Sequence, residues 1–143
     1  MSDNYVSMWG TLNWRTPFSN PKVHVVVDVD PELAAYARTF IPPSERINVP
    51  RYPAHITAMR GEGTHKHHRR LLEKVRGMVI PFECGKMSEL RHDNVYWWLP
   101  VYSPALLMLR KLLDLPEYTE LTKPPDGAEM FHITVGNTKG WAP

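Results

Sequence analysis

Ala54-His55-Ile56-Thr57-Ala58 and Phe131-His132-Ile133-Thr134-Val135 carry the same triplet, His-Ile-Thr, twice in one chain. Seven His and nine Thr in 143 residues give about 0.4 His-x-Thr triplets by chance. Each triplet lies in a run that alternates apolar and polar residues, which predicts a β-strand with two unlike faces. Residues i and i+2 leave a strand on the same side. His55 and Thr57 therefore share one face while Ile56 enters the packing, and His132 and Thr134 do the same around Ile133. Two such strands brought together surround a small anion with two bases and two hydroxyl donors. For one triplet alone, a hydrogen-bonded core His and an ordinary strand Thr are the commoner outcome. The duplication reverses that weighting.

Working outward, similar segments precede each triplet. Lys22–Asp30 (KVHVVVDVD) is a β-branched run and predicts a strand. Asp30-Pro31 opens a helix, with Asp as N-cap and Pro at the first helical position. In PELAAYARTF the residues Leu33, Tyr36, Ala37 and Phe40 share the expected buried face. A proline-rich loop, Ser44–Pro53, leads to the first triplet. In the second half Asn94–Tyr102 (NVYWWLPVY) predicts a strand, Ser103-Pro104 opens a second helix, and the polar loop Glu117–Glu129 leads to the second triplet. From Pro31 to His55 is 24 residues, and from Pro104 to His132 is 28. This is an internal repeat of strand, helix, loop and His-Ile-Thr strand, which suggests two lobes about an approximate two-fold axis. Between the units come a turn at Arg60–Thr64, a basic helix His65–Gly77, a strand Met78–Leu90 with a break at Gly85, and a hairpin turn at 91–94. Residues 1–21 read as an extended arm with a short edge strand, Val6–Leu12.

With these motifs in this order the chain resembles the 2H phosphoesterase superfamily, named for two His-x-Thr or His-x-Ser motifs. The resemblance spans about Lys22 to Gly136. It implies an α+β, bilobal 2H phosphoesterase fold: two pseudo-symmetric strand–helix–strand lobes with a central cleft. The lobes would cover about residues 22–77 and 78–136 of a single domain, with a tail at 137–143. It further implies His55, Thr57, His132 and Thr134 as catalytic residues. Members include RNA-end enzymes of the 2′-5′ ligase type, cyclic phosphodiesterases, and phage enzymes that destroy nucleotide immune signals. The short chain looks closest in size to the phage anti-CBASS nucleases.

Composition is compatible with that chemistry. The formal net charge is +2, which suits a phosphate-bearing small ligand and is too small to argue for duplex DNA. Cys84 is the one cysteine, so no internal disulfide exists, and a reducing, cytoplasmic setting is expected (host cytoplasm for a viral protein). No apolar run spans a bilayer. His65, His67 and His68 sit among Lys and Arg without carboxylate or thiolate partners, so neither a metal nor another cofactor is expected. Other residues are candidate substrate contacts. Tyr5, Trp9, Trp98 and Trp141 could stack a base, and Arg60 and Lys139 could pair with phosphate. Tyr96, Trp98 and Tyr102 share one strand face, and Trp97 and Leu99 the other. Three functions fit: a metal-independent phosphodiesterase for cyclic or oligomeric nucleotide signals, an RNA-end enzyme, and a non-catalytic nucleotide- or RNA-binding module. The sequence does not specify an oligomeric state.

Overall fold

A computed structural model describes residues 3–15, 24–60, 66–115 and 131–138, with backbone alone for residues 15, 60 and 66–69. Among the described residues seven strands and three α-helices follow one another: β1 (Tyr5–Arg15), β2 (His24–Asp28), α1 (Pro31–Arg38), β3 (His55–Arg60), α2 (Lys66–Val75), β4 (Val79–Gly85), β5 (Arg91–His92), β6 (Tyr96–Tyr102), α3 (Pro104–Leu112) and β7 (Phe131–Asn137). The strands are antiparallel in the order β4-β1-β2-β3-β7-β6-β5. A further pairing, Glu83↔Tyr102 and Cys84↔Val101, joins β4 to β6. That seam closes six strands into a barrel.

The closed barrel overturns the bilobal α+β expectation. Both expected strand–helix–strand units are present, but their strands run into one continuous sheet instead of two lobes. The reason lies in pairings that local pattern does not reveal. The expected arm is an eleven-residue strand. It pairs with β4 through Tyr5–Thr11 and with β2 through Thr11–Arg15, so it bridges the two units. The expected strand Met78–Leu90 is also cut short. It ends at Gly85, where the break was expected, and does not resume: a 3-10 turn takes Met87–Glu89, and β5 occupies part of the expected turn. The reversal into β6 is made by Asp93, whose carboxylate accepts from the backbone N–H groups of Val95 and Tyr96, both at 2.7 Å. Those bonds hold its pKa below the usual carboxylate range against the opposing effect of burial.

The helix starts follow the sequence. Asp30 Oδ1 accepts from Glu32 N at 2.9 Å, and Ser103 Oγ accepts from Leu106 N at 3.2 Å while donating to Pro81 O on β4 at 2.9 Å. The face of α1 follows it in part. Ala34 and Ala37 are buried, while Tyr36 and Phe40 are 58% and 50% exposed. They pack edge-on against each other at 5.1 Å, while Leu33, also on the expected face, is half-buried against the core.

Alternation gives the sheet two chemistries. One face carries Leu12, Val25, Val27, Ile56, Ile80, Phe82, Cys84, Leu99, Val101 and Ile133, which join Ala34, Ala37, Leu106, Leu109 and Leu113 of the helices in one core. The other face is polar and partly open: Thr11, Asn13, Asp28, His55, Thr57, Trp98, His132 and Thr134.

Candidate functional site

β3 and β7 meet at Ile56↔Ile133, both fully buried. In antiparallel register the next residues on each side pair His55 with Thr134 and Thr57 with His132. Residues directly opposite on one face have Cβ atoms about 4.5–5.5 Å apart, and diagonal neighbours about 7–8 Å. The four expected catalytic side chains therefore form one patch on the polar face. Each histidine sits across from the other motif's threonine, and the two histidines lie on the diagonal. Among the described residues neither threonine hydroxyl has a hydrogen-bond partner.

The two rings sit in different surroundings. His55 Nδ1 lies 2.8 Å from Pro53 O. A carbonyl can only accept, so Nδ1 carries the proton and the lone pair of the neutral ring is on Nε2. The cross-strand partner of His55 on β2 is Asp28, whose Oδ2 accepts from Asn13 Nδ2 at 3.1 Å. His132 has Trp98 edge-on at 6.5 Å between ring centroids. Burial, and then the neighbouring His55, push its pKa down to about 4.

A matched device follows each motif. Between β2 and β3 the register steps from Val26↔Thr57 to Val25↔Met59, which leaves Ala58 as a bulge. Between β6 and β7 it steps from Trp98↔Thr134 to Trp97↔Gly136, leaving Val135 as a bulge. A bulged carbonyl is lost to the ladder, and in both cases an arginine takes it. Arg110 Nη1 on α3 donates to Ala58 O at 2.8 Å. Arg38 Nη1 on α1 donates to Val135 O at 3.0 Å. The support is crossed, since the helix of each unit holds the His-Ile-Thr strand of the other. Arg110 is fully buried. Sequence reasoning passed over Arg38, Arg110 and Asp28; the one available signal was that both arginines end amphipathic helices of the repeat.

No family model, curated protein or solved structure matches this chain.

The remaining candidates scatter. Trp98 pairs with Thr134 and stands beside the quartet. Trp9 lies on the polar face, 73% exposed and two strands from His55. Tyr5 is taken up in packing against Tyr102, with centroids 5.2 Å apart. Arg60 pairs in register with His24, but its side chain lies outside the described set. Lys139, Trp141 and His65 lie outside the described residues, as do the side chains of His67 and His68. Of the strand faces on β6, that of Trp98 joins the histidines and that of Trp97 joins the core, with the exposed His92 stacked on the Trp97 ring at 4.1 Å. Among the described residues no group of three or more His, Cys, Asp or Glu is placed to hold a metal ion. No described helix is long and apolar enough to cross a membrane.

Proposed function

We propose that this protein is a phosphodiesterase that cleaves cyclic or oligomeric nucleotides by histidine acid–base catalysis, as its two His-x-Thr motifs and their resemblance to 2H phosphoesterases imply. One observation carries the reading: two His–Thr pairs from distant parts of the chain lie on one half-buried sheet face, with neither hydroxyl hydrogen-bonded among the described residues. A phosphodiester seated between the strands meets a base, an acid and two donors. His132, neutral at physiological pH, is the base and removes the proton of the nucleophile, a ribose 2′-hydroxyl or a water. His55 is the acid and protonates the departing oxygen. A backbone carbonyl on Nδ1 and the carboxylate residue Asp28 across the strand pair suit a ring that carries charge. Thr57 and Thr134 donate to the non-bridging oxygens as negative charge grows there. Acid, base and charge stabilisation thus all come from side chains, and no metal is required. A 2′-hydroxyl nucleophile leaves a 2′,3′-cyclic phosphate; water leaves a linear monoester. Destruction of a nucleotide immune signal is the biological setting that fits this chemistry.

The test is turnover in EDTA of a panel of cyclic di- and trinucleotides, 2′-5′ oligoadenylates and 2′,3′-cyclic mononucleotides, read by mass. Wild type should open at least one cyclic or 2′-5′-linked oligonucleotide, and His55→Ala and His132→Ala should lose about 10²–10⁴-fold in rate. Turnover of 2′,3′-cyclic mononucleotides alone would move the function to RNA ends. Binding without turnover would make the protein a nucleotide-binding module.

A further inference from the structure

Beside the quartet, α1 and the loop ahead of β3 enclose a cavity of about 270 Å³. Thr134 of the quartet and Ala54, the residue before His55, are among its lining residues. Its lining also includes Arg38, Arg51 and Tyr52, and no acidic residue. Arg38 is partly buried, and burial pushes its pKa below the usual guanidinium range. Its one hydrogen bond among the described residues uses a single donor of five, on Val135 O. Arg51 lies over the Tyr52 ring, 5.8 Å from its centroid, and among the described residues neither arginine has an ion-pair partner. Two cations without a counter-ion beside a half-enclosed space form an anion site, since an anion offsets the cost of desolvating the guanidinium. The walls are pinned. Asn48 N donates to Asn137 O at 2.7 Å, Asn137 N donates to Asn48 O at 3.1 Å, and Val29 N donates to Ala54 O at 3.2 Å. The loop between them is thus tied to the sheet at both ends.

We propose that this cavity binds the phosphate adjacent to the scissile one, with Arg51 and Arg38 as its ligands. Resting on the acid–base reading above, this makes the substrate a nucleotide with at least two phosphates, such as a cyclic or linear oligonucleotide, and disfavours a 2′,3′-cyclic mononucleotide. The apolar wall of Ala34, Val49, Pro50 and Pro53 takes the sugar or base attached to that phosphate.

The experiment is equilibrium binding to the full chain carrying His132→Ala, so that nothing is consumed. The probes are ApA, pApA and ApAp, which differ by one terminal phosphate at either end. One of the two phosphorylated probes should bind about tenfold or more tightly than ApA. Arg51→Ala should remove that gain, and Arg51→Glu should reverse it. Equal binding of all three probes, a gain that survives both substitutions at this exposed position, or no binding at millimolar concentration would overturn the proposal. Wild-type turnover is scored separately. A failed subsite with intact turnover removes only the second phosphate, and a phosphate-dependent gain without turnover removes only the acid–base reading.

Discussion

At the scale of single residues, His132 decides the pH behaviour. Its pKa is held near 4, against an ordinary value of 6.5. As a general base it is already unprotonated at neutral pH, so the acid limb of kcat/KM should fall with an apparent pKa near 4, not near 6.5, in a rate profile between pH 3.5 and 8. The same shift acts on stability. Between 6.5 and about 4 the unfolded chain takes up a proton that the folded chain refuses. Stability is therefore full above pH 6.5 and falls as pH drops through that window, by up to about 3 kcal/mol, with no further loss from this group below it. Urea midpoints at pH 7 and pH 4.5 should differ more in wild type than in His132→Asn. Thr57→Val and Thr134→Val each remove one donor and should lower kcat by about 10²-fold with the fold intact, as read by circular dichroism beside the rate. These four residues were legible because a strand's period of two is a local property. Asp28, Arg38 and Arg110 were not, since their roles depend on which strand or bulge they meet.

At the scale of elements, the crossed arginines make the bulges rigid. Arg110→Met keeps much of the side chain's bulk but leaves Ala58 O without that donor in a dry interior. It should cost about 1–3 kcal/mol in urea unfolding. It should also lower kcat with KM little changed, because Thr57 loses its fixed aim while the ligand's other contacts remain. Rescue by Arg110→Lys of stability but not of kcat would separate aim from mere support. Gly10 on β1 is a second tight point. A Cβ there would meet Asp28 O at 2.5 Å and Val27 Cγ1 at 2.6 Å. Gly10→Ala should therefore cost about 1–3 kcal/mol through a shift of β1 away from β2, measured by thermal melts. The helix starts could be read in advance from Asp-Pro and Ser-Pro. The buried face of α1 could be read only in part: Leu33 and Ala37 pack inward as their spacing suggests, while Tyr36 and Phe40 satisfy the helical period and stay exposed.

At the scale of the molecule, the ring is sealed by two residue pairs between β4 and β6. Cys84 sits in that seam, 1% exposed, and burial pushes its thiol up to about 12. A thiol reagent at pH 8 should therefore label the native protein only as fast as the barrel opens, with the rate rising in urea. Immediate stoichiometric labelling would show the seam to be loose. The repeat foretold which elements would appear and in what order. Closure was hidden because it depends on the pairings of β1 with β4 and of β4 with β6, between residues far apart in the chain, which the local alternation of Tyr5–Arg15 does not reveal. One consequence concerns the order in which the protein is made. β7 lies between β3 and β6, yet a ribosome finishes both of those strands long before Phe131 appears. Without β7 the same strand order would leave an open arc with bare edges on β3 and β6 and a single His-Ile-Thr. A synthetic peptide of Phe131–Thr138 matches that gap and carries the missing histidine, so the whole barrel and its open arc would differ by eight residues supplied from outside.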